Sequence, residues 1–257
     1  ILSEASTQRE IQEANKIDLE NAGSGGLSSA MIDRLRLNEK GIASIINALR
    51  EIAAFPDPVG EVIGGRTLAS GVRMVQKRVP LGVVFTVFES RPNVTVDIGA
   101  LCLKAGNAAI LRGGREALNT NLVLYRAFQK AIGNAGLPED ALLFIDNPDR
   151  DYMLELLKQD AAIDLVVPRG GEALIKFVTA NSRIPVIKHD KGVCNLFIDE
   201  SADLSMALDI AINAKLQKPS VCNAVENLLI HSNFKNAGQL LSGLKSAGAE
   251  LHGCTRS

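Results

Sequence analysis

Between Val83 and Val167 short β-branched runs alternate with helical stretches, and this alternation confines the chain to an α/β fold. Val83–Val87, Ala109–Leu111, Leu142–Ile145 and Leu165–Val167 have the length and apolar continuity of buried strands. Between them, Val94–Lys104, Asn119–Ala135 and Tyr152–Leu157 have helical spacing. Strands separated by helices imply a Rossmann-like, doubly wound parallel sheet with ligands at the carboxyl ends of its strands. Glycine pairs mark two of those ends, Gly113-Gly114 and Gly170-Gly171. No G-x-G-x-x-G follows a strand, which disfavours an ordinary Rossmann dehydrogenase.

A second strand–helix rhythm begins at Asn195–Ile198, continues through a helix at Leu204–Lys215 and reaches Leu228–Ile230. It predicts a domain boundary near residue 190, with residues 1–190 in one domain and 191–257 forming part of a second α/β domain. Ahead of the sheet, residues 7–54 read as helical. The run is broken once at Gly23–Gly26 and ended by Pro56-Asp57-Pro58.

With 257 residues, 46% of them hydrophobic, the chain can bury a full core. A net charge of −1 with interspersed signs offers no basic stripe for nucleic acid and favours a small-molecule partner. No apolar run approaches the roughly 18 residues needed to cross a bilayer, and no signal-peptide pattern opens the chain, so no membrane association is expected. Of the four cysteines, Cys102, Cys194, Cys222 and Cys254, none forms a C-x-x-C pair, which argues against a zinc site or redox dithiol. Scattered free thiols suit a reducing, cytoplasmic compartment. Cys102 and Cys194 read as core residues.

Cys222 differs in its surroundings. The segment Gln217–Ala224 joins a helix to a strand, and loops held by rigid elements present nucleophiles. Lys215 and Lys218 are placed to favour a thiolate. Asn223 and nearby backbone N–H groups are placed to hold an oxyanion. Read locally, a buried structural cysteine is the competing reading.

The segment resembles the catalytic loop of the gamma-glutamyl phosphate reductases, within the aldehyde dehydrogenase superfamily. Phe88–Asp97 (FESRPNVTVD), Gly106–Ala117 (GNAAILRGGREA), Asp164–Ile175 (DLVVPRGGEALI) and Pro185–Asn195 (PVIKHDKGVCN) match in the same order. So do Ala14–Ala22 (ANKIDLENA) and Leu27–Leu37 (LSSAMIDRLRL), and the similarity covers essentially the whole chain. The resemblance implies an aldehyde dehydrogenase type of fold, an NADPH-binding domain over residues 1–190 and a nucleophile at Cys222. The thiolate displaces phosphate from gamma-glutamyl phosphate, and hydride from NADPH reduces the thioester to glutamate semialdehyde.

Asn223 and Lys188 are implied as further catalytic groups. Glu89, Ser90, Arg91, Pro92, Arg112, Gly113, Gly114, Arg115, Gly170 and Gly171 are implied at the cofactor, and Asn93 and His189 at the substrate. Arg112 and Arg115 flank the loop expected at the adenosine ribose and favour NADPH over NADH, although Glu116 stands nearby. Lys188 aligns on the superfamily's glutamate base, which fits phosphate release better than the hydrolysis an aldehyde-oxidising dehydrogenase performs. A non-catalytic scaffold is the reading of another class, and retention of Cys222 and Arg112 disfavours it. The resemblance also implies a homo-oligomer at full length, a glutamate kinase as partner, and a catalytic domain incomplete at its C-terminal end.

Overall fold

The computed structural model of the chain describes residues 1–27, 29–189, 192–219 and 221–253, with the backbone alone at 24, 29 and 30. Cys254 lies outside the described residues. Two compact units are present, Ile1–Lys188 and His189–Ser257. No described helix is long and apolar enough to cross a membrane.

The first unit opens with helices α1 (Ala5–Ser24), α2 (Ser29–Leu35) and α3 (Glu39–Ala54). The sequence suggests one break in this run; the structure adds a second at residues 36–38. There the Asn38 side chain accepts from the Gly41 N–H and starts α3. Ile11, Leu37, Ile42 and Ile45 form an apolar cluster with Val96 and Leu124 of the sheet-covering helices. A hairpin follows, β1 (Val62–Thr67) paired antiparallel with β2 (Arg73–Lys77).

The main sheet holds β3 (Val83–Phe88), β4 (Ala108–Arg112), β5 (Leu142–Phe144) and β6 (Leu165–Arg169) in the order β5-β4-β3-β6, all parallel. Alternate residues of β3 feed two cores. Val84 and Phe88 pack against α4 (Asn93–Lys104) and α5 (Leu118–Asn134). Phe85 and Val87 pack against α6 (Arg150–Leu156) and α7 (Glu172–Asn181) on the opposite face. Helices on both faces make the sheet doubly wound, and its order reverses between β3 and β6, where such folds bind ligands. Val186 adds an isolated parallel bridge to Val166.

The second unit is built on β7 (Asn195–Ile198) and β8 (Asn227–Ile230), paired in parallel through the crossover helix α8 (Leu204–Leu216) and followed by α9 (Ala237–Ser246). Asp203 caps α8 by accepting from the Met206 N–H. Ile198, Ala211, Phe234 and Leu240 form its core on one face of the pair. Phe197 and Leu229 point away from that core and are exposed.

Candidate active site

The carboxyl ends of β3 and β6 meet in a loop-to-loop contact made by Glu89. Its backbone N–H donates to the Arg169 carbonyl at 3.1 Å, and its Oε2 accepts from the Gly171 N–H at 2.8 Å. A Cβ on Gly170 would stand 2.5 Å from that oxygen, so a side chain there would displace the Glu89 carboxylate from this contact.

Ser90 follows with φ +45°, a conformation L side chains rarely adopt. Glu116 holds it there, accepting from the Ser90 N–H at 2.7 Å and from its hydroxyl at 2.8 Å. Strain held by its surroundings is a mark of functional turns. Glu116 is thus tied to the β3 loop through Oε1, and it also lines the cleft beside it. Arg91 is half-buried in the same turn, and Pro92 leads into α4.

Beside this crevice lies a cleft of about 700 Å³, lined by Glu89, Arg112, Gly114, Arg115, Asp149 and Arg150 among others. Arg112 leaves the end of β4 and is buried, with Nη2 donating to the Pro148 carbonyl at 2.7 Å and the Asp149 carbonyl at 3.2 Å. Its Nε has no hydrogen-bond partner among the described residues. Burial and then the charge of Arg150 draw its pKa down, while Asp149 opposes the shift. Arg112 therefore anchors the loop before α6 while forming one wall of the cleft, and Arg115 is exposed at its edge. Gly113 is buried, and a Cβ there would run into the Asn121 amide.

A smaller cavity of about 220 Å³ opens on another side of the α4 N-terminus, lined by Arg34, Arg36, Ser44, Pro92, Asn93 and Asp97 among others. Asn93 Nδ2 donates to Asp97 Oδ2 at 2.8 Å.

In the second unit, Cys222 and Asn223 are exposed on the loop between α8 and β8. Ser220 of that loop lies outside the described residues. The loop is fastened just after Cys222. The Val225 N–H donates to the Ala214 carbonyl at 3.0 Å, and the Glu226 N–H to the Cys194 carbonyl at 2.9 Å. Lys215, expected to favour the thiolate, instead donates its ammonium to the Val225 carbonyl at 2.9 Å.

Cys194 also departs from expectation. It stands one residue before β7 outside the apolar cluster, half-buried, and its thiol donates to the Cys222 carbonyl at 3.5 Å. Cys102 does lie in the core, where burial pushes its thiol up to about 11. Lys188 is the last residue of the first unit and His189 the first of the second; both are exposed.

The structure thus brings Glu89, Arg112, Gly114 and Arg115 to one cleft and Pro92 and Asn93 to the smaller cavity, with Gly170 and Gly171 against Glu89; Lys188 lines neither cavity. Sequence reading missed Asn147, Asp149 and Arg150 on the cleft and Asp97 in the smaller cavity. Asp97 does lie within the Phe88–Asp97 motif, and that was the available signal.

The chain is 51% identical over 242 residues to a gamma-glutamyl phosphate reductase from Leptospira interrogans, covering 94% of this chain and 58% of that protein. It is 50% identical to the reductase of the same name from Aquifex aeolicus, covering 94% and 56%. The crystal structure of the gamma-glutamyl phosphate reductase from Thermotoga maritima superimposes with a TM-score of 0.89 at 42% identity, over 98% of this chain and 61% of that one. The chain therefore spans less than two thirds of the length of these relatives. The family model for the aldehyde dehydrogenase family matches residues 33–252, across the parallel sheet and the Cys222 loop alike. The chain belongs to the aldehyde dehydrogenase family.

Proposed function

We propose that this chain carries the NADPH-binding part and the nucleophile of a reductase that converts gamma-glutamyl phosphate to glutamate 5-semialdehyde with release of phosphate. The observation that carries the reading is identity near one half to reductases of that name over nearly the whole chain. An exposed cysteine on a fastened loop is the arrangement the chemistry needs.

In this reading the Cys222 thiolate attacks the acyl carbon, a C–S bond forms, and the C–O bond to phosphate breaks with its electron pair leaving on phosphate. The Asn223 amide holds the oxygen that becomes negative during attack. A nicotinamide cofactor, when bound, supplies the hydride that takes the acyl group to the aldehyde level. The residues present fit such a group. Arg112, with an unsatisfied buried Nε, and the side-chain-free Gly114 wall a cleft of dinucleotide scale at the end of a parallel sheet. Phosphate-dependent reduction of NADP⁺ with pyrroline-5-carboxylate, measured on a form of the protein spanning the whole length of its relatives, tests the reading. No reaction under conditions that support a known reductase would refute it.

Two predictions arise here. Arg115 and Arg150 both line the cleft, so a 2′-phosphate there meets cations. Arg115→Glu is expected to weaken binding of 2′,5′-ADP by about tenfold or more, the scale of one lost charge-assisted pair plus a new repulsion. Binding of 5′-AMP should change little, and calorimetry on both nucleotides checks this. Equal effects on the two would remove Arg115 from the phosphate.

Lys188 is proposed to offset the negative charge of the acyl phosphate, most strongly as charge shifts onto the leaving group. Lys188→Met should lower turnover by roughly 10- to 100-fold and raise the KM for phosphate in the reverse direction, with cofactor affinity unchanged. Unchanged phosphate dependence would make Lys188 a surface lysine.

A further inference from the structure

Two sets of contacts within the second unit bring Cys194 and Cys222 together. The Cys194 carbonyl accepts from the Glu226 N–H at 2.9 Å and the Asn227 N–H at 3.1 Å, which pins Cys194 beside the start of β8. From there its thiol reaches back along the loop and donates to the Cys222 carbonyl at 3.5 Å. The loop turns just after Cys222, with the Ala224 N–H donating to the Val221 carbonyl at 3.2 Å. The carbonyl oxygen and the Sγ of a cysteine are each two bonds from its Cα. Side-chain rotation and a small shift of an exposed loop therefore separate the contact seen here from the sulfur–sulfur contact that a disulfide needs.

The two thiols differ as the partners of an oxidation site differ. Cys222 is exposed and open to a small oxidant, whereas Cys194 is half-buried against the loop. Thiols that react with peroxides are accessible to solvent and often stand next to a second, resolving cysteine. Cys102 has neither property. It lies in the core of the first unit, where burial pushes its thiol up to about 11 and disfavours the reactive thiolate.

We infer that Cys194 and Cys222 form a reversible oxidation site for hydroperoxides, with Cys222 as the reacting thiol and Cys194 as the resolving one. The Cys222 thiolate attacks an oxygen of the peroxide, an S–O bond forms, and the O–O bond breaks with its electron pair. The departing oxygen takes up a proton and leaves as water or an alcohol. Sulfur is thereby oxidised by two electrons to the sulfenic acid, and the peroxide is reduced by the same two. Cys194 then attacks that sulfur; the S–S bond forms, the S–O bond breaks, and hydroxide leaves with the Cys194 proton as water. The disulfide withholds the Cys222 nucleophile while it lasts, and it spares the sulfur from the sulfinic acid, which thiols do not reduce. A dithiol reverses the disulfide by exchange. The site needs only a reactive thiol at Cys222, whichever acyl group that thiol serves.

The test treats the protein, in the form spanning its relatives' full length, with hydrogen peroxide. Free thiols are then blocked with iodoacetamide and tryptic peptides are mapped without reduction. The two cysteines fall in separate peptides, 192–215 and 216–235. The expected product is the two peptides joined, lighter by two hydrogens than their sum, and dithiothreitol should return both cysteines in alkylatable form. In Cys194→Ser the joined product is lost, and peptide 216–235 gains two oxygens that dithiothreitol does not remove. A parent in which Cys222 stays unoxidised, pairs with another cysteine, or gains two oxygens while Cys194 remains free overturns the inference. So does a Cys194→Ser variant whose Cys222 thiol is recovered as fully as the parent's.

Discussion

Replacing Cys222 with alanine or serine is expected to lower turnover by roughly four orders of magnitude or more, as loss of a nucleophile does in covalent enzymes. Without the thiolate no thioester forms, and a serine hydroxyl at neutral pH is a far weaker nucleophile. The side chain is exposed on its loop, and the contacts that fasten the loop come from the backbone of Val225 and Glu226 and the ammonium of Lys215. Neither substitution touches those contacts, so the fold should persist and nucleotide affinity should remain near that of the parent. Rapid-quench detection of acyl-enzyme and fluorescence titration with NADPH check the two halves separately. A serine variant retaining a tenth of the parent rate would refute covalent catalysis through this residue.

The central sheet was legible because its strands are buried on both faces and read as continuous apolar runs; each of the four was placed within one or two residues. The hairpin β1–β2 was not. Its first strand contains Gly64-Gly65, and nearly all of its residues are exposed, so no alternation marks it. The same contrast runs through the site. Arg112 and the glycine pairs announce themselves by following buried strands. Arg150 becomes visible only when the chain folds, because what distinguishes it is the cleft it shares with Arg112 and Arg115. Cys194 was misplaced for a related reason. Its apolar character says core, whereas its position just ahead of β7 leaves it beside the Cys222 loop. The Ala14–Ala22 motif, read only as a family match, has a physical cause of its own. Asn15 ties α1 to the segment after α2, donating to the Leu35 carbonyl at 2.9 Å and accepting from the Leu37 N–H at 2.8 Å.

Asp18, in the same motif, should be the costliest single carboxylate to remove from the first unit. It is 1% exposed, and it accepts from the Asn119 backbone N–H at 3.2 Å and side-chain amide at 2.8 Å through Oδ1. Through Oδ2 it accepts from the Thr120 N–H at 2.8 Å and hydroxyl at 2.6 Å. The two backbone donors belong to the first turn of α5, whose N–H groups have no partner within the helix. Asp18 thus caps α5 from a neighbouring helix, and its charge lies favourably at the positive end of the helix dipole. Asp18→Ala would strand four donors at a buried site, at an expected cost of about 3–5 kcal/mol, the range for removing one partner from a buried charged network. That is a large share of a total stability of about 5–15 kcal/mol. Thr120→Val, which loses the hydroxyl's bond to Asp18 and the one it accepts from the Asn15 amide and leaves the backbone bonds in place, should cost about 1–2 kcal/mol. Lys16→Ala gives the control, since its contact with Glu20 is 3.9 Å long and highly exposed, and such surface pairs are worth about 0–1 kcal/mol. Urea unfolding of the three variants should rank Asp18→Ala far above Thr120→Val, with Lys16→Ala near the parent. If Asp18→Ala costs no more than Lys16→Ala, the α5 N-terminus is held by packing alone and the capping account fails.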